Sequence, residues 1–239
     1  MLLIQLDPVR IIQIYIVQLG MGIVYFLFGI LILKRDTKRL NQIFATFYLL
    51  SASATVINVI YASLTIEVVV KVLHFITYFL FCYAPLYLLI FCLIIWKSEK
   101  VVTIKTHNII AIVYFILLLI LAPIALFTNG LTINKSTNWR PVWNLAFMLY
   151  AIIVVGVFII IPLTYLLIQI YKSFEDKVIQ RRWLFFILGI LPYFVILYLV
   201  SISNFLNDPT FRLITSIAGL SLYATAVLLY YGVGRQLKK

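Results

Sequence analysis

Charged residues are scarce in this 239-residue chain. Only 11% of the residues are Asp, Glu, Lys or Arg, whereas 65% are hydrophobic and the mean hydropathy is +1.14. Soluble domains carry about 25% charged and about 45–50% apolar residues. The composition therefore excludes a water-soluble globule, and it excludes a disordered chain because such chains contain few apolar residues.

Cysteine and histidine are also rare, with two of each. Cys82 and Cys92 are ten residues apart in one predicted helix, about 15 Å along its axis, which is too far for a disulfide. We therefore expect two buried thiols, which excludes a disulfide-rich secreted module. His74 and His107 fall near opposite membrane faces, so they cannot ligate one haem between helices.

Recognisable catalytic and metal-binding motifs are missing from the sequence. There is no H-E-x-x-H, G-x-S-x-G or P-loop motif, and no cluster of His, Cys and carboxylates with the spacing of metal ligands. The last apolar run, 211–233, has no lysine to form a retinal Schiff base. We therefore expect no enzymatic activity, no metal and no cofactor.

Seven long apolar runs make up most of the sequence. Each is long enough to cross a bilayer, which takes about 20 residues, and a chain in lipid satisfies its backbone within a helix unless it forms a barrel. The first run, at 23 residues, exceeds the apolar core of a signal peptide, so we interpret it as a spanning helix. The sequence predicts an all-α polytopic membrane protein whose residues 1–239 form a single seven-helix transmembrane domain. The predicted helices are 11–33, 43–62, 68–96, 107–127, 143–171, 183–205 and 211–233.

Basic residues outnumber acidic ones, 19 against 7, and the net charge is +12. Fourteen of the 19 lie in the first, third and fifth connections and the C-terminal tail. Short basic loops beside apolar runs indicate contact with anionic lipid headgroups on the cytoplasmic side, not nucleic-acid binding. We therefore expect a multi-pass protein of the cell membrane, with the lipid bilayer around it, the N-terminus outside and the C-terminus in the cytoplasm. Trp139 and Trp143 then fall at the outer interface, and Trp96 and Trp183 at the inner one, as in an aromatic belt.

Polar residues within the apolar runs are concentrated in the outer half of the predicted bundle. Because intramembrane polar groups are costly, this asymmetry indicates an outward-facing vestibule that binds a small or lipid-like ligand. The alternative is that these side chains only form hydrogen bonds between neighbouring helices. The candidate ligand-binding residues are Gln18, Asn58, His74, Tyr78, Asn144, Asn204 and Ser216, and the candidate outer rim is Glu67, Lys71 and Arg212.

Three of these residues share one face of the third predicted helix. Glu67, Lys71 and His74 are spaced i, i+4 and i+7, and a Glu four residues before a Lys is the favoured order for an ion pair. One interpretation is therefore an ion pair at the membrane boundary. The other is a pH-responsive or anion-binding rim, because histidine titrates near neutral pH.

Three segments carry a resemblance to a known family. YFLFCYAPLYLLIFCL (78–93) has a proline in the middle of an aromatic-rich span. RRWLFFILGILPYF (181–194) has a basic pair before a glycine and a proline, and ITSIAGLSLYATAVLLYYGVGR (214–235) is a final helix. In these segments, and in helix number and loop pattern, the chain resembles the N-terminal seven-helix sensor regions of prokaryotic membrane histidine kinases and related signalling proteins. The resemblance implies an outward-facing sensor that passes a signal inward.

The chain departs from that family at its C-terminal end. Four residues follow Arg235, so we expect no kinase, cyclase or phosphatase domain. We therefore expect a stand-alone receptor-like protein that signals to a separate cytoplasmic protein through the connection 172–182 and the tail 234–239. The alternatives are a passive channel or small-solute transporter, and a non-enzymatic subunit of a membrane complex.

Overall fold

The structure is a computed structural model that describes residues 8–234. Within this range, seven helices are long and apolar enough to cross a membrane, which confirms the predicted all-α class and seven-helix bundle. We number them α1 to α7. They cover Gln13–Arg35, Arg39–Ala62, Glu67–Lys97, Ile104–Phe127, Leu145–Ser173, Lys177–Leu206 and Pro209–Val233. Helical structure already begins at Pro8, before α1.

Some helices begin earlier than the apolar runs that predicted them. The clearest case is α6, which starts at Lys177 and not at 183, because the Asp176 carboxylate caps the helix by accepting the Val178 N–H at 2.7 Å. Arg181 and Arg182 then continue the helix, since long basic side chains can reach water from a helix end. Hydropathy therefore marks the membrane-embedded part of the helix and misses its polar first turns.

The predicted irregular connection 128–142 folds into a small β-hairpin. Strand β1 (Leu131–Thr132) pairs antiparallel with β2 (Val142–Trp143), and a 3₁₀ turn at Lys135–Thr137 lies between them. Leu131, Ile133 and Trp143 are buried, so the hairpin folds over the end of the bundle. We call this the hairpin end, and it also contains the α2–α3 and α6–α7 connections.

The opposite end of the bundle, the basic end, contains the α1–α2, α3–α4 and α5–α6 connections. Lys172 and Lys177, from the predicted partner surface, are exposed on either side of the α5–α6 connection. Residues 235–239 of the predicted tail lie outside the described part of the chain.

Helix α3 forms the centre of the bundle and α4 its edge. Helix α2 packs along α1 and α3, α6 packs along α7, and α3 also contacts α5. The apolar window of α3 is 61% buried, against 17% for α4, which packs on α3 and α5. Most of α4 therefore faces lipid.

A layer of aromatic side chains fills the middle of the bundle. Adjacent rings are in contact, with centroid distances of 5.0 Å for Phe44–Phe91 and 5.3 Å for Phe47–Tyr193. Each member is no more than 1% exposed. This aromatic layer consists of Tyr25, Phe44, Phe47, Tyr48, Phe91, Phe186 and Tyr193.

Tyrosine hydroxyls link the helices to one another. Helix carbonyls have a second lone pair, so they can accept a tyrosine proton without leaving the helix. Tyr48 donates to the Ala226 carbonyl at 2.8 Å, and Tyr114 donates to the Cys82 carbonyl at 3.1 Å. The described tyrosines that donate in this way to a carbonyl of another helix are Tyr25, Tyr48, Tyr83, Tyr114, Tyr150, Tyr193, Tyr198 and Tyr223.

The Tyr193 bond compensates for a proline. Pro85 lies inside α3 and has no N–H, so the Phe81 carbonyl four residues earlier lacks its helical donor. The Tyr193 hydroxyl of α6 donates to that carbonyl at 2.8 Å. Replacement of a missing helical bond by a neighbouring helix is what allows proline inside a membrane span.

We expect the Tyr193→Phe substitution to destabilise the bundle by about 1.5 kcal/mol, near the upper end for a hydrogen bond between membrane helices. The Phe81 carbonyl would then be buried without a donor. Thermal denaturation in detergent measures the effect. The control is Tyr165→Phe, because Tyr165 is 59% exposed. Equal stability of the two variants would contradict the role assigned to Tyr193.

Candidate ligand-binding cavity

A cavity of about 210 Å³ lies at the hairpin end, above the aromatic layer. Its walls come from α1, α2, α3, α6, α7 and the hairpin. Tyr25 and Tyr193 lie one turn below the lining residues Met21 and Ile196, so the aromatic layer forms the floor. The polar lining residues are Arg10, Gln13, Gln18, Thr55, Asn58, Tyr61, His74, Thr77, Tyr78, Arg140, Ser203, Asn204, Arg212, Thr215 and Ser216.

The cavity brings together most of the predicted site residues. The predicted ligand-binding residues that line it are Gln18, Asn58, His74, Tyr78, Asn204 and Ser216. Arg212, predicted for the rim, also lines the wall. Asn144, Glu67 and Lys71 do not line the cavity.

Asn144 has a structural role at the start of α5. Its side-chain oxygen accepts the Phe147 N–H at 2.9 Å, and its amide donates to the Thr128 carbonyl at 2.9 Å. These bonds cap the helix and hold it to the end of α4. The side chain is therefore not available to a ligand in the cavity, which corrects its placement in the predicted site.

Glu67 and Lys71 form the ion pair that their spacing predicts. The Lys71 ammonium lies 2.7 Å from the Glu67 carboxylate, and both side chains are substantially exposed. The predicted rim is therefore divided, with this pair on the outer surface of α3 and Arg212 in the cavity wall. Exposed pairs of this kind contribute about 0.3–0.5 kcal/mol.

His74 is buried and bonded through both ring nitrogens. The Trp143 indole N–H donates to Nε2 at 3.2 Å, so Nε2 must be the acceptor and Nδ1 carries the proton in the neutral ring. Nδ1 lies 2.9 Å from the Tyr61 hydroxyl. The chain Tyr61–His74–Trp143 thus connects α2, α3 and the hairpin and positions His74 in the cavity wall.

Tyr78 continues this connection toward α6. Its ring meets Trp143 edge-on, with centroids 4.6 Å apart. Its hydroxyl donates to Ser201 Oγ at 2.9 Å, and Ser201 in turn donates to the Leu197 carbonyl. A ligand that moved the hairpin would therefore act on α2, α3 and α6 together.

Arg10 closes the cavity at the hairpin end and was missed by the sequence analysis. Its guanidinium donates to the carbonyls of Ala62, Asn138 and Trp139 at 3.0–3.2 Å. These carbonyls belong to the last residue of α2 and to the hairpin. Arg10 immediately precedes the first apolar run, so hydropathy assigned it to the flank of the helix. Gln13, Thr77 and Arg140 were also missed.

Arg212 holds α7 against the hairpin through neutral acceptors. It donates to the Pro141 carbonyl at 2.6 Å and to Asn207 Oδ1 at 3.1 Å, with a longer contact of 3.5 Å to Asn204 Oδ1. Its Nε–H is buried and has no acceptor. Gln18 Oε1 and Thr77 Oγ1, also in the wall, are likewise buried without partners.

Two of the surrounding helices are irregular beside the cavity. The segment Ile12–Gln18 is a π-helix, and its residues Gln13, Val17 and Gln18 line the wall. Helix α7 is interrupted at Gly219, which also lines the wall. Wide π turns occur often at functional sites, and these irregularities place polar side chains and a helix break around the same space.

Among residues 8–234, no group of three or more His, Cys, Asp or Glu side chains could hold a metal ion. The polar cavity is the candidate functional site. Comparisons with protein-family models, with curated proteins and with solved structures gave no match.

Proposed function

We propose that the chain is a receptor-like membrane protein, which binds a small or lipid-like ligand and signals to a separate cytoplasmic protein. The observation that carries this proposal is the polar cavity at one end of the bundle, which has the aromatic layer as its floor. Concave sites with a few converging polar groups in apolar walls are typical of ligand binding. The resemblance to sensor regions of membrane histidine kinases supports the same function.

The aromatic layer favours a receptor over a channel or small-solute transporter. A conducting path needs polar groups or an opening along the whole bundle. Below the cavity, Phe44, Phe47 and Phe186 are fully buried and in van der Waals contact with neighbouring rings. Cavity and layer together suit a ligand that binds at one end and does not pass through.

The orientation that we propose places the hairpin end outside the cell and the basic end in the cytoplasm. It is supported by the 14 Lys and Arg residues that belong to the basic end and the tail. A ligand would then reach the cavity from outside, and the partner would meet the α5–α6 connection.

Helix α7 offers a physical route between the two ends. Thr215 and Ser216 line the cavity, whereas Tyr230 near the other end contacts Arg35 of α1 through its hydroxyl and its ring. The break at Gly219 lies between them. A ligand can shift such a bundle only if it binds one of two arrangements better than the other.

Filling the cavity by mutation tests this coupling without knowledge of the ligand. Cys82 and Cys92 are fully buried, so a cysteine introduced as Glu175→Cys in the exposed α5–α6 connection would be the reactive thiol among the described residues. We expect the Ser216→Phe and Asn58→Phe substitutions to change its maleimide labelling rate by about fivefold or more, the lower end of typical coupling between sites.

The matched control is Ile217→Phe, one residue from Ser216 on the lipid-facing side, where Ile217 is 59% exposed. It should leave the labelling rate at Glu175→Cys unchanged. Unchanged rates with both cavity-filling variants would show an uncoupled cavity, contradict the receptor and favour the subunit of a membrane complex.

Crosslinking in native membranes tests for the cytoplasmic partner. Recovery of one soluble signalling protein through Lys172 or Lys177 would support the proposal, provided that Lys172→Gln with Lys177→Gln abolishes the crosslink. Recovery of membrane subunits alone would contradict signalling to a separate soluble protein.

A further inference from the structure

We propose that the ligand of this cavity is an organic anion with a small apolar group, such as a short-chain carboxylate. This inference rests on the proposed ligand-binding function and specifies its chemistry. It combines three observations: the sign of the charges in the wall, the unpartnered donor of Arg212, and the apolar lower wall.

Among the described residues, the charged groups in the cavity wall are cations. Arg10, Arg140 and Arg212 line the cavity, and of the described residues that do so, none is Asp or Glu. Guanidinium groups bind carboxylates and phosphates with matching planar geometry. A ligand that places a negative charge beside Arg212 is therefore favoured over a neutral or cationic one of the same shape.

Arg212 supplies the donor that the anion would use. Its bonds to Pro141, Asn204 and Asn207 all go to neutral oxygens, and its buried Nε–H remains without an acceptor. A buried charged donor without a partner is costly. A carboxylate oxygen at this position would satisfy the donor and the charge of Arg212 at once.

The lower wall suits an apolar group of limited size. It is formed by Val17, Met21, Phe81, Ile196 and Leu222. An apolar cavity of about 150 Å³ can hold benzene, so the whole cavity of about 210 Å³ suits a ligand that, with its anionic group included, is somewhat larger than benzene. Gln18 Oε1 and Thr77 Oγ1, both buried without partners, add neutral sites for a hydroxyl group or water.

The test compares three probes of one shape and different charge. Purified full-length protein in phosphatidylcholine nanodiscs is titrated by calorimetry with hexanoate, hexanol and hexylammonium. We expect hexanoate to bind about tenfold or more tightly than hexanol, as for one charged hydrogen bond, and hexylammonium not to bind. Equal binding of hexanoate and hexanol, or preference for hexylammonium, would overturn the proposal.

Variants then locate the anion. The Arg212→Gln substitution should weaken hexanoate binding by about tenfold, and Arg212→Lys should retain part of the affinity. Lys71→Gln is the matched control, because Lys71 is a cation of the same end outside the cavity. An equal loss of hexanoate affinity in Lys71→Gln would show that general surface charge causes the effect, and it would contradict an anion site at Arg212. If Arg212→Gln does not fold, the comparison of the three probes on the unmodified protein still tests whether the cavity prefers an anion.

Two further measurements distinguish a lipid headgroup from a soluble anion, and the anion site from the receptor function. At high salt, which screens the membrane surface potential, weaker hexanoate binding in nanodiscs with phosphatidylglycerol would identify a lipid headgroup as the anion, and unchanged binding would identify a soluble one. Hexanoate binding without coupling to Glu175→Cys would support the anion site and contradict the receptor. Coupling by the cavity-filling variants, with no hexanoate binding, would support the receptor and overturn the anion.

Discussion

Leucine in place of Gly232 should prevent α6 and α7 from packing and leave little folded protein. A Cβ at position 232 would lie 2.8 Å from the Phe186 nitrogen and 2.9 Å from the Arg182 oxygen, both backbone atoms of α6. Backbone cannot move aside as a flexible side chain can, and close helix approach depends on small residues. Even Gly232→Ala should be strongly destabilising.

The measurement is the fraction of expressed protein that elutes as one symmetric peak in mild detergent. Val227→Leu on the same helix is the control, because Val227 is 51% exposed and faces lipid. We expect nearly full recovery for Val227→Leu, partial recovery for Gly232→Ala and almost none for Gly232→Leu. Normal recovery of Gly232→Leu would mean that α6 and α7 do not approach as closely as described.

The Arg10→Gln substitution should release the hairpin from the bundle. Each hydrogen bond from a charged donor contributes about 1.5–3 kcal/mol, and Arg10 makes three, one to the end of α2 and two to the hairpin. Because bonds from one group are not additive, we expect a loss of about 3 kcal/mol. That loss corresponds to about a hundredfold faster hydrogen exchange in the hairpin.

Hydrogen exchange of the amides at 131–143 checks this expectation, with Lys135→Gln as the control. Lys135 is an exposed cation of the same hairpin, and its removal should leave exchange unchanged. If Arg10→Gln also left exchange unchanged, Trp143 and Arg212 alone would hold the hairpin.

The helices could be predicted because lipid imposes a simple requirement. A long apolar run in a bilayer forms a helix whatever its neighbours are, so hydropathy alone located all seven. The same index failed at polar helix ends, as at Lys177, because capping by Asp176 and not hydropathy decides where that helix begins. It also could not predict that residues 131–143 form a hairpin, which depends on burial of Leu131 and Trp143 by the bundle.

The prediction of an aromatic belt was wrong for two of its four tryptophans, because these two are buried inside the protein. Trp143 and Trp183 are 3% and 4% exposed, and their indole N–H groups donate to His74 Nε2 and to the Leu167 carbonyl. A tryptophan near a helix end fits either an interfacial site or a buried one with a hydrogen-bond partner. The partner lies on a different segment, so sequence cannot distinguish the two.

Residues of the candidate site could be predicted from their depth in the membrane, but the direction in which each side chain points could not. Asn58 and Ser216 were predicted because a polar group at that depth is costly and therefore indicates a functional site. Asn144 has the same depth and residue type, but its side chain turns back to cap α5. Arg10 was missed because it flanks an apolar run, and only the folded chain brings it to the carbonyls of Ala62 and Asn138.

The difference between α3 and α4 determines how freely each helix can change in evolution. Most of α4 faces lipid, which accepts Ile, Val, Leu or Phe almost equally, so selection acts there mainly on overall hydropathy. In α3, Phe91 packs on Phe44 and Phe186 of two other helices. The Cys82 carbonyl accepts from Tyr114, and Pro85 depends on the Tyr193 bond, so a change there must be matched elsewhere. Descendants of one ancestor would therefore retain a recognisable α3 long after their α4 sequences had become unrelated.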